Sequence, residues 1–450
     1  MKRKSKIIPA LFTAMLLAAM LLAAMLLAGC GESSAPEGLP EDVPYNHGVD
    51  AIMETEEGWY TNYSRLNLLN LHYIDKESGA DVYLCSRPEC MHDGSDGCTA
   101  TYNNINVQNT LLYNGALYFT ANEQDGETAG IALYKAAADG SALDKVTDIC
   151  KVKTDKALET SHMSYNNYQN DYLIIHKGYA YISYELYDQE VGGYAGYIDS
   201  GLMKINISTG EKEELVSDDE GYFSPKACRL KACEDYVYFD MNGNKAEQSY
   251  TARYNINDGS ISIIDIRNEY GNYSYVTGIT PESIYVNTAN ENNCLCIEEY
   301  DADTLEYKGF AADTDQRNLA ACTLFYDDMI FTCGDDRIDV YKDGKRTGGI
   351  VYGVDENDYP EGVDLYAFQN GLFKISRGYL YLIDTDFSNQ HINDIIRRVS
   401  RCPIEDILKG TGKFEPAYIS YDERTAEMLW GDIPGWREQQ AESEAAEDEP

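Results

Sequence analysis

Lys177-Gly178-Tyr179-Ala180-Tyr181-Ile182-Ser183-Tyr184 is a short turn followed by a run that alternates with a period of two from Ala180 onward. That period is the signature of a strand and not of a helix. The same arrangement recurs at Tyr60 in Gly58-Trp59-Tyr60-Thr61, Tyr118 in Asn114-Gly115-Ala116-Leu117-Tyr118, and Tyr238 in Glu234-Asp235-Tyr236-Val237-Tyr238. Further copies are Tyr285 after Pro281-Glu282-Ser283-Ile284, Phe331 after Asp327-Asp328-Met329-Ile330, and Phe373 after Asn370-Gly371-Leu372. Subtracting successive anchor numbers gives spacings of 58, 63, 57, 47, 46 and 42 residues. A four-stranded antiparallel sheet with its turns needs roughly 40–50 residues, so each interval holds one blade of a propeller.

Each unit has a second half of the same kind. An apolar strand runs into a tight polar turn at Tyr73-Ile74-Asp75 through Gly79, Tyr134-Lys135 through Gly140, Ile205 through Gly210, Tyr254 through Gly259, Tyr300-Asp301-Ala302-Asp303 and Tyr341-Lys342-Asp343-Gly344. Asp-Gly and Asn-Gly pairs reach the positive φ values that two-residue hairpins demand. The reading is an all-β fold, a β-propeller of seven four-stranded blades over residues 48–430. An eighth blade is the alternative, because Ala417–Tyr421 and Glu427–Trp430 form a last hairpin that either completes blade seven or begins another. A β-sandwich is disfavoured because sandwiches rarely repeat one pattern at this spacing.

Composition agrees. The chain is 44% hydrophobic, with 38 Tyr against 3 Trp, and tyrosine suits half-buried strands whose rings are covered while the hydroxyl reaches water. The formal charge is −40. Such a surface repels phosphate backbones, which excludes nucleic acid as a partner. Acidity alone defines no cation site; Asp301-Ala302-Asp303 and Asp384-Thr385-Asp386 read as turn residues.

Residues 1–29 read as an export signal. Lys2, Arg3, Lys4 and Lys6 precede an apolar run that ends in Leu27-Ala28-Gly29-Cys30, the pattern of a bacterial lipobox. Cleavage before Cys30 lets that thiol carry lipid, which anchors the protein to the membrane on its extracytoplasmic side. Residues 30–47 then form a polar tether with Pro36, Pro40 and Pro44, and residues 431–450 an acidic tail expected to be disordered.

The densest chemical constellation is Leu84-Cys85-Ser86-Arg87-Pro88-Glu89-Cys90-Met91-His92-Asp93, followed by Cys98. It resembles the first-blade motif of lipid-anchored propeller lipoproteins from Gram-positive anaerobes. The blade repeats extend that resemblance over most of the chain past the export signal, and it implies no particular ligand. Three thiols and one imidazole match the donor set of a Cys3His structural zinc site, so Cys85, Cys90, His92 and Cys98 are candidate metal ligands. A disulfide among them, free thiols or redox use stays open, because an exported domain meets less reducing conditions. Elsewhere, a two-residue turn at Asp327-Asp328 places Cys322 opposite Cys333 as a candidate cross-strand disulfide.

None of the common catalytic motifs stands out, and His176 and His391 read as structural, the latter opening a short helix over Ile392–Arg398. These residues are compatible with three classes of protein. One is a recognition or scaffold lipoprotein that binds an extracellular protein or glycan. Another is a propeller enzyme acting on polysaccharide, a glycosidase or lyase. A two-lobed solute receptor is disfavoured by the dominance of strand patterning. Recognition is preferred, because the wide early spacings require long insertions over Lys151–Asp171 and Tyr187–Ser200, which mix Tyr with Asn and Gly. Tyr165, Tyr168, Tyr194 and Tyr197 are the candidate ligand contacts.

Overall fold

Seven antiparallel sheets follow one another along the chain in the computed structural model, and each is built from one continuous segment. The structure describes residues 53–65, 68–92, 97–103, 107–125, 128–153, 158–159, 173–188, 197–217, 230–242, 249–264, 266, 276–290, 292, 294–315, 322–334, 337–351, 372–385 and 397–420. Blade two shows the common plan: Val107–Tyr113, Ala116–Asp125, Thr128–Ala137 and Leu143–Lys153 pair in that order. Blade four repeats it with Lys231–Cys233, Tyr236–Asn242, Ser249–Asn255 and Ile261–Ile264. Blade five uses Val276–Ile279, Ser283–Ala289, Leu295–Asp301 and Tyr307–Asp313, and blade six Cys322–Tyr326, Met329–Cys333, Arg337–Lys342 and Lys345–Val351.

The first strands of successive blades from two to seven lie against one another, so they form the inner wall of the ring. Among the described residues most buried hydrophobic side chains fall into seven clusters, and each cluster straddles one pair of neighbouring blades. The core is therefore a series of inter-sheet layers and not one central mass. The layer between blades seven and one closes the ring: Trp59 is buried with Ile74, Tyr381 and Val399, and its ring lies 5.2 Å from that of Tyr418. The Trp59 indole N–H donates to the Tyr381 hydroxyl at 3.3 Å. No strand is shared across this joint among the described residues.

Six anchors, from Tyr60 to Phe331, fall on the second strand of their blades as the repeat predicts. The seventh does not. Phe373 lies on the first strand of blade seven, Leu372–Ser376, and the equivalent residue is Tyr381 on Tyr379–Thr385. Its strand is launched by Arg377 and Gly378, at φ 44° and 78°. The last spacing is then 381 − 331 = 50 residues, in line with the other blades. The hairpin question also resolves: Glu415–Ser420 pairs with Arg397–Pro403 as the outer strand of blade seven. Residues 421–430 lie outside the described set.

Two local readings change. Arg397 and Arg398, expected to end a helix, begin a strand whose partners are Thr385 and Asp384. A single helical turn instead spans Ile404–Leu408, where the other blades use a tight polar turn; Ile404 and Ile407 are its buried face. The two ends of the insertion over Tyr187–Ser200 are strand, since Tyr179–Asp188 pairs with Tyr197–Asn206, and 189–196 lie outside the described residues. Among the described residues no helix is long and apolar enough to cross a membrane.

Candidate metal centre

The outer strand of blade one is broken in two. Asp81–Tyr83 pairs with His72–Ile74, and Thr101–Asn103 pairs with Leu68–Asn70 of the same neighbour strand. Leu71 joins the halves: its carbonyl accepts from Leu84 N–H and its own N–H donates to the Ala100 carbonyl, both at 2.8 Å. Residues 85–100 therefore leave the sheet and return at one ladder position, and both flanks keep their register. Cys85, Cys90, His92 and Cys98 all ride on this excursion.

The fold closes the mouth of the loop from the next blade. Gly140, in the Asp139-Gly140 turn of blade two, accepts from Ser86 N–H at 3.1 Å and from the Thr99 hydroxyl at 2.7 Å. A Cβ on Gly140 would lie 2.8 Å from the Leu84 carbonyl carbon, and the residue has φ +69°. Only glycine combines that backbone conformation with so close an approach. Thr101 pins the far side, its hydroxyl bridging the Asn70 side chain and the His92 carbonyl at 2.9 Å each.

Inside the loop, three sulfur atoms and one imidazole nitrogen all lie within 4.8 Å of one another. A tetrahedral ion with bonds of about 2.3 Å to sulfur places its ligands about 3.8 Å apart, so the four atoms are close to the required spacing. The Cys98 sulfur and His92 Nδ1 are 3.8 Å apart. No disulfide joins Cys85, Cys90 or Cys98. His92 has φ 53° and its ring stacks on Tyr83 at 4.3 Å and 10°. Tyr83 in turn contacts His72, which is paired with Asp81 at 2.8 Å. The imidazole is thus set by a chain of side chains from the sheet.

The surroundings favour the thiolate at Cys85 and oppose it at Cys98. Burial raises the Cys85 thiol, but the Arg87 N–H, the hydroxyl and N–H of Thr99, and the Cys90 thiol outweigh it and bring it down to about 6. Burial pushes the Cys98 thiol up, against N–H donation from Ala100 and Thr101, the latter 3.3 Å from the sulfur. Arg87 donates to the Cys90 sulfur at 3.4 Å, and Gly97 leaves room for its guanidinium, since a Cβ there would meet Nη1 at 2.9 Å. Three thiolates around a divalent cation leave one net negative charge, and Arg87 neutralises it. The donor set, spacing and charge fit a metal ion, and these residues can hold one.

Sequence spacing brought the four ligands into one loop but missed their supports. Arg87 was legible, as a cation between two thiols; Gly140 and Tyr83 depend on contacts that no spacing reveals. Cys322 does stand opposite Cys333, as the turn arithmetic predicts. Tyr197 begins a strand and is the partner of Tyr187, whereas Tyr165, Tyr168, Tyr194 and Cys30 lie outside the described residues. His176 is fully buried and its Nε2 is 2.7 Å from the Glu234 carbonyl of blade four, a structural tie.

No family model matches the chain, and no curated protein matches it. Solved structures do. The chain is similar to prolyl oligopeptidase B from Galerina marginata, with 10% identity, a TM-score of 0.48, and coverage of 85% of this chain and 53% of that one. It is similar to a prolyl endopeptidase at 10% identity and TM-score 0.47, covering 85% and 51%. An oligogalacturonate lyase in complex with manganese matches at 11% identity and TM-score 0.39, covering 73% and 82%. The chain spans about half the length of the two peptidases. The similarity is distant, and none of these activities bears on this chain.

Proposed function

We propose that the protein is an extracytoplasmic recognition or scaffold propeller, held at the outer face of the cytoplasmic membrane by lipid on Cys30, that captures a protein or glycan through its rim. The clasped loop of blade one carries this reading. Zinc is the ion the Cys3His set suits, and four protein ligands leave no coordination position for substrate, which is the structural and not the catalytic form of such a site. The loop displays Met91, 80% exposed, next to ligands Cys90 and His92, while Val82, on the strand leading in, is 50% exposed. An adaptable apolar side chain on a clamped loop can meet a partner without losing further backbone freedom. Tyr165, Tyr168, Tyr194 and Tyr197 extend the contact surface under the same reading.

The lipobox supports the address. Cys30→Ala should release the chain from the membrane fraction, and retention with no lipid on the native protein would end the anchor proposal. For recognition, the anchored full-length chain is cross-linked on intact cells and presented to a glycan array. Met91→Asp should lower capture at least tenfold while metal stays near one per chain. Capture unchanged by that variant, or cleavage of a polysaccharide by the purified chain, would overturn the reading. Cys322 and Cys333 are proposed to form a disulfide in this compartment, which non-reducing peptide mapping reads directly.

A further inference from the structure

The grooves after blades three, four and seven share a feature that the groove after blade five replaces with its opposite charge; at the same position blade two carries Lys135, blade one Tyr73 and blade six Val340. On the third strand of blades three, four and seven, the residue opposite the anchor tyrosine is a cation: Lys204 faces Tyr181, Arg253 faces Tyr238, and Arg401 faces Tyr381. Each fills the groove toward the next blade. Lys204 lies 4.9 Å from the ring of Tyr179 and 5.4 Å from that of Tyr254 in blade four, whose hydroxyl it meets at 3.1 Å. Arg253 lies 4.9 Å over Tyr236 and donates to the Ala302 carbonyl of blade five at 2.6 Å. Arg401 lies 4.6 Å over Tyr379 and 5.5 Å over Trp59 of blade one.

In blade five the same position is Glu299, opposite Tyr285. Two residues before that anchor, where blades three, four and seven carry Tyr179, Tyr236 and Tyr379, blade five has Ser283. Both the cation and its lower ring are gone, while the far ring is kept: Tyr341 of blade six pairs with Ile330 as Tyr254 pairs with Val237. A cleft of about 500 Å³ results, lined by Ser283, Tyr285, Glu299, Lys308, Phe325 and Tyr341 among others. Counted over the whole lining, five carboxylates stand against two ammonium groups. Lys308 is held at its edge, donating to the Glu282 carbonyl at 2.7 Å and the Ser283 hydroxyl at 2.9 Å, and lies 3.7 Å from Glu299.

We propose that this cleft binds the ammonium or guanidinium of a lysine or arginine side chain on a partner polypeptide. The ligand then supplies the cation that the chain itself supplies in three other grooves, facing the Glu299 carboxylate with Tyr285 and Tyr341 as its aromatic walls. Charge complementarity and the internal precedent identify this occupant, and the inference is independent of whether the rim of blade one captures a ligand.

The test titrates the full chain with the acetylated, amidated tripeptides Gly-Lys-Gly and Gly-Arg-Gly, with the norleucine tripeptide as the uncharged control and spermidine as the free-amine arm. The basic peptides should bind, weaken with salt, and exceed the norleucine peptide at least tenfold. Glu299→Lys, which restores the cation found at this position in blade three, should abolish binding with an unchanged or higher melting temperature. Glu299→Gln should weaken binding about tenfold, and Lys308→Met should tighten it several-fold by removing the internal competitor. Equal binding of the norleucine peptide, or undiminished binding by both Glu299 variants, would overturn the proposal. Binding of spermidine without either basic peptide would overturn the polypeptide source.

Discussion

Blade one and blade four are built on the same plan and finish it differently. Blade four ends in an unbroken outer strand, Ile261–Ile264, entered by a turn in which the Asp258 carboxylate accepts from the N–H and hydroxyl of Ser260 at 2.9 and 2.6 Å. Its groove toward blade five is filled by its own Arg253. Blade one interrupts the corresponding strand between Leu84 and Ala100 and hangs three thiols and an imidazole on the interruption. The repeat supplies a frame, and chemistry gathers where a blade departs from it. The departure is tolerated because Leu71 carries the ladder hydrogen bonds of both flanks, so an excursion at that point shifts no register.

The largest expected contrast is within blade four. Phe239 is fully buried between blades three and four, so Phe239→Ala should lose about 3–5 kcal/mol. Ile263 on the outer strand is 55% exposed, and Ile263→Ala should change stability by no more than about 0.5 kcal/mol. Denaturant unfolding measures both, and similar losses would deny that the layers between blades carry the fold.

Metal removal should act on blade one alone. With free ion at a hundredfold excess over its dissociation constant, binding adds about 2.7 kcal/mol, which a chelator removes. Cys98→Ser should abolish the one-per-chain metal and make melting insensitive to chelator. Phe239→Ala should leave metal content unchanged. A wild-type chain whose melting and metal content ignore chelator would remove the distinction between the two blades.

Two turn glycines sharpen the comparison. Gly140 and Gly259 occupy matching turns at φ +69° and +74°, but a Cβ on Gly259 meets nothing within 4 Å. Gly259→Ala should lose only the conformational term, about 1–2 kcal/mol. Gly140→Ala adds a clash with the mouth of the metal loop, so it should lose more and speed proteolysis within 85–100. Equal losses would mean that the loop mouth does not press on blade two.

The smallest effect is electrostatic and common to both blades. Hydrogen bonds from Ser78 hold the Asp75 carboxyl below its ordinary value, and hydrogen bonds from Ser260 do the same for Asp258. A carboxyl with a depressed folded value contributes its full stability above the unfolded value near 3.9 and loses it as pH falls through the folded one. Asp75→Ala and Asp258→Ala should each flatten the acid limb of stability below about pH 4, with little further change at pH 7 beyond loss of the turn hydrogen bonds.

Much of this was legible in the chain because second strands and polar turns carry local signatures. Blade seven shows the limit. Asn370-Gly371 has the composition of a hairpin turn and drew the anchor to Phe373, whereas the true launcher opens with Arg377, a residue type that seldom marks positive φ. The turn of helix at Ile404–Leu408 is too short to show periodicity, although Pro403 with Glu405 and Asp406 is a fair helix-start signal. Clustering of the metal ligands was legible because the loop is short. The open groove was not: Glu299 differs from Lys204 and Arg253 only after cross-strand partners are fixed in every blade.

The joint between blades seven and one has a mechanical consequence. Six junctions in the ring are bridged by the chain itself, so separating those blades under load must also stretch a covalent connection. At the seventh, among the described residues, side chains make the joint, chiefly Trp59 against Tyr381 and Tyr418. The chain enters the ring here, through the two-residue strand Met53–Glu54 on Tyr60 and Trp59. A pull on the amino-terminal end would peel those two pairs first and then load the tryptophan. Under tension the molecule behaves as a split ring, opening at the point where the pulling end is attached.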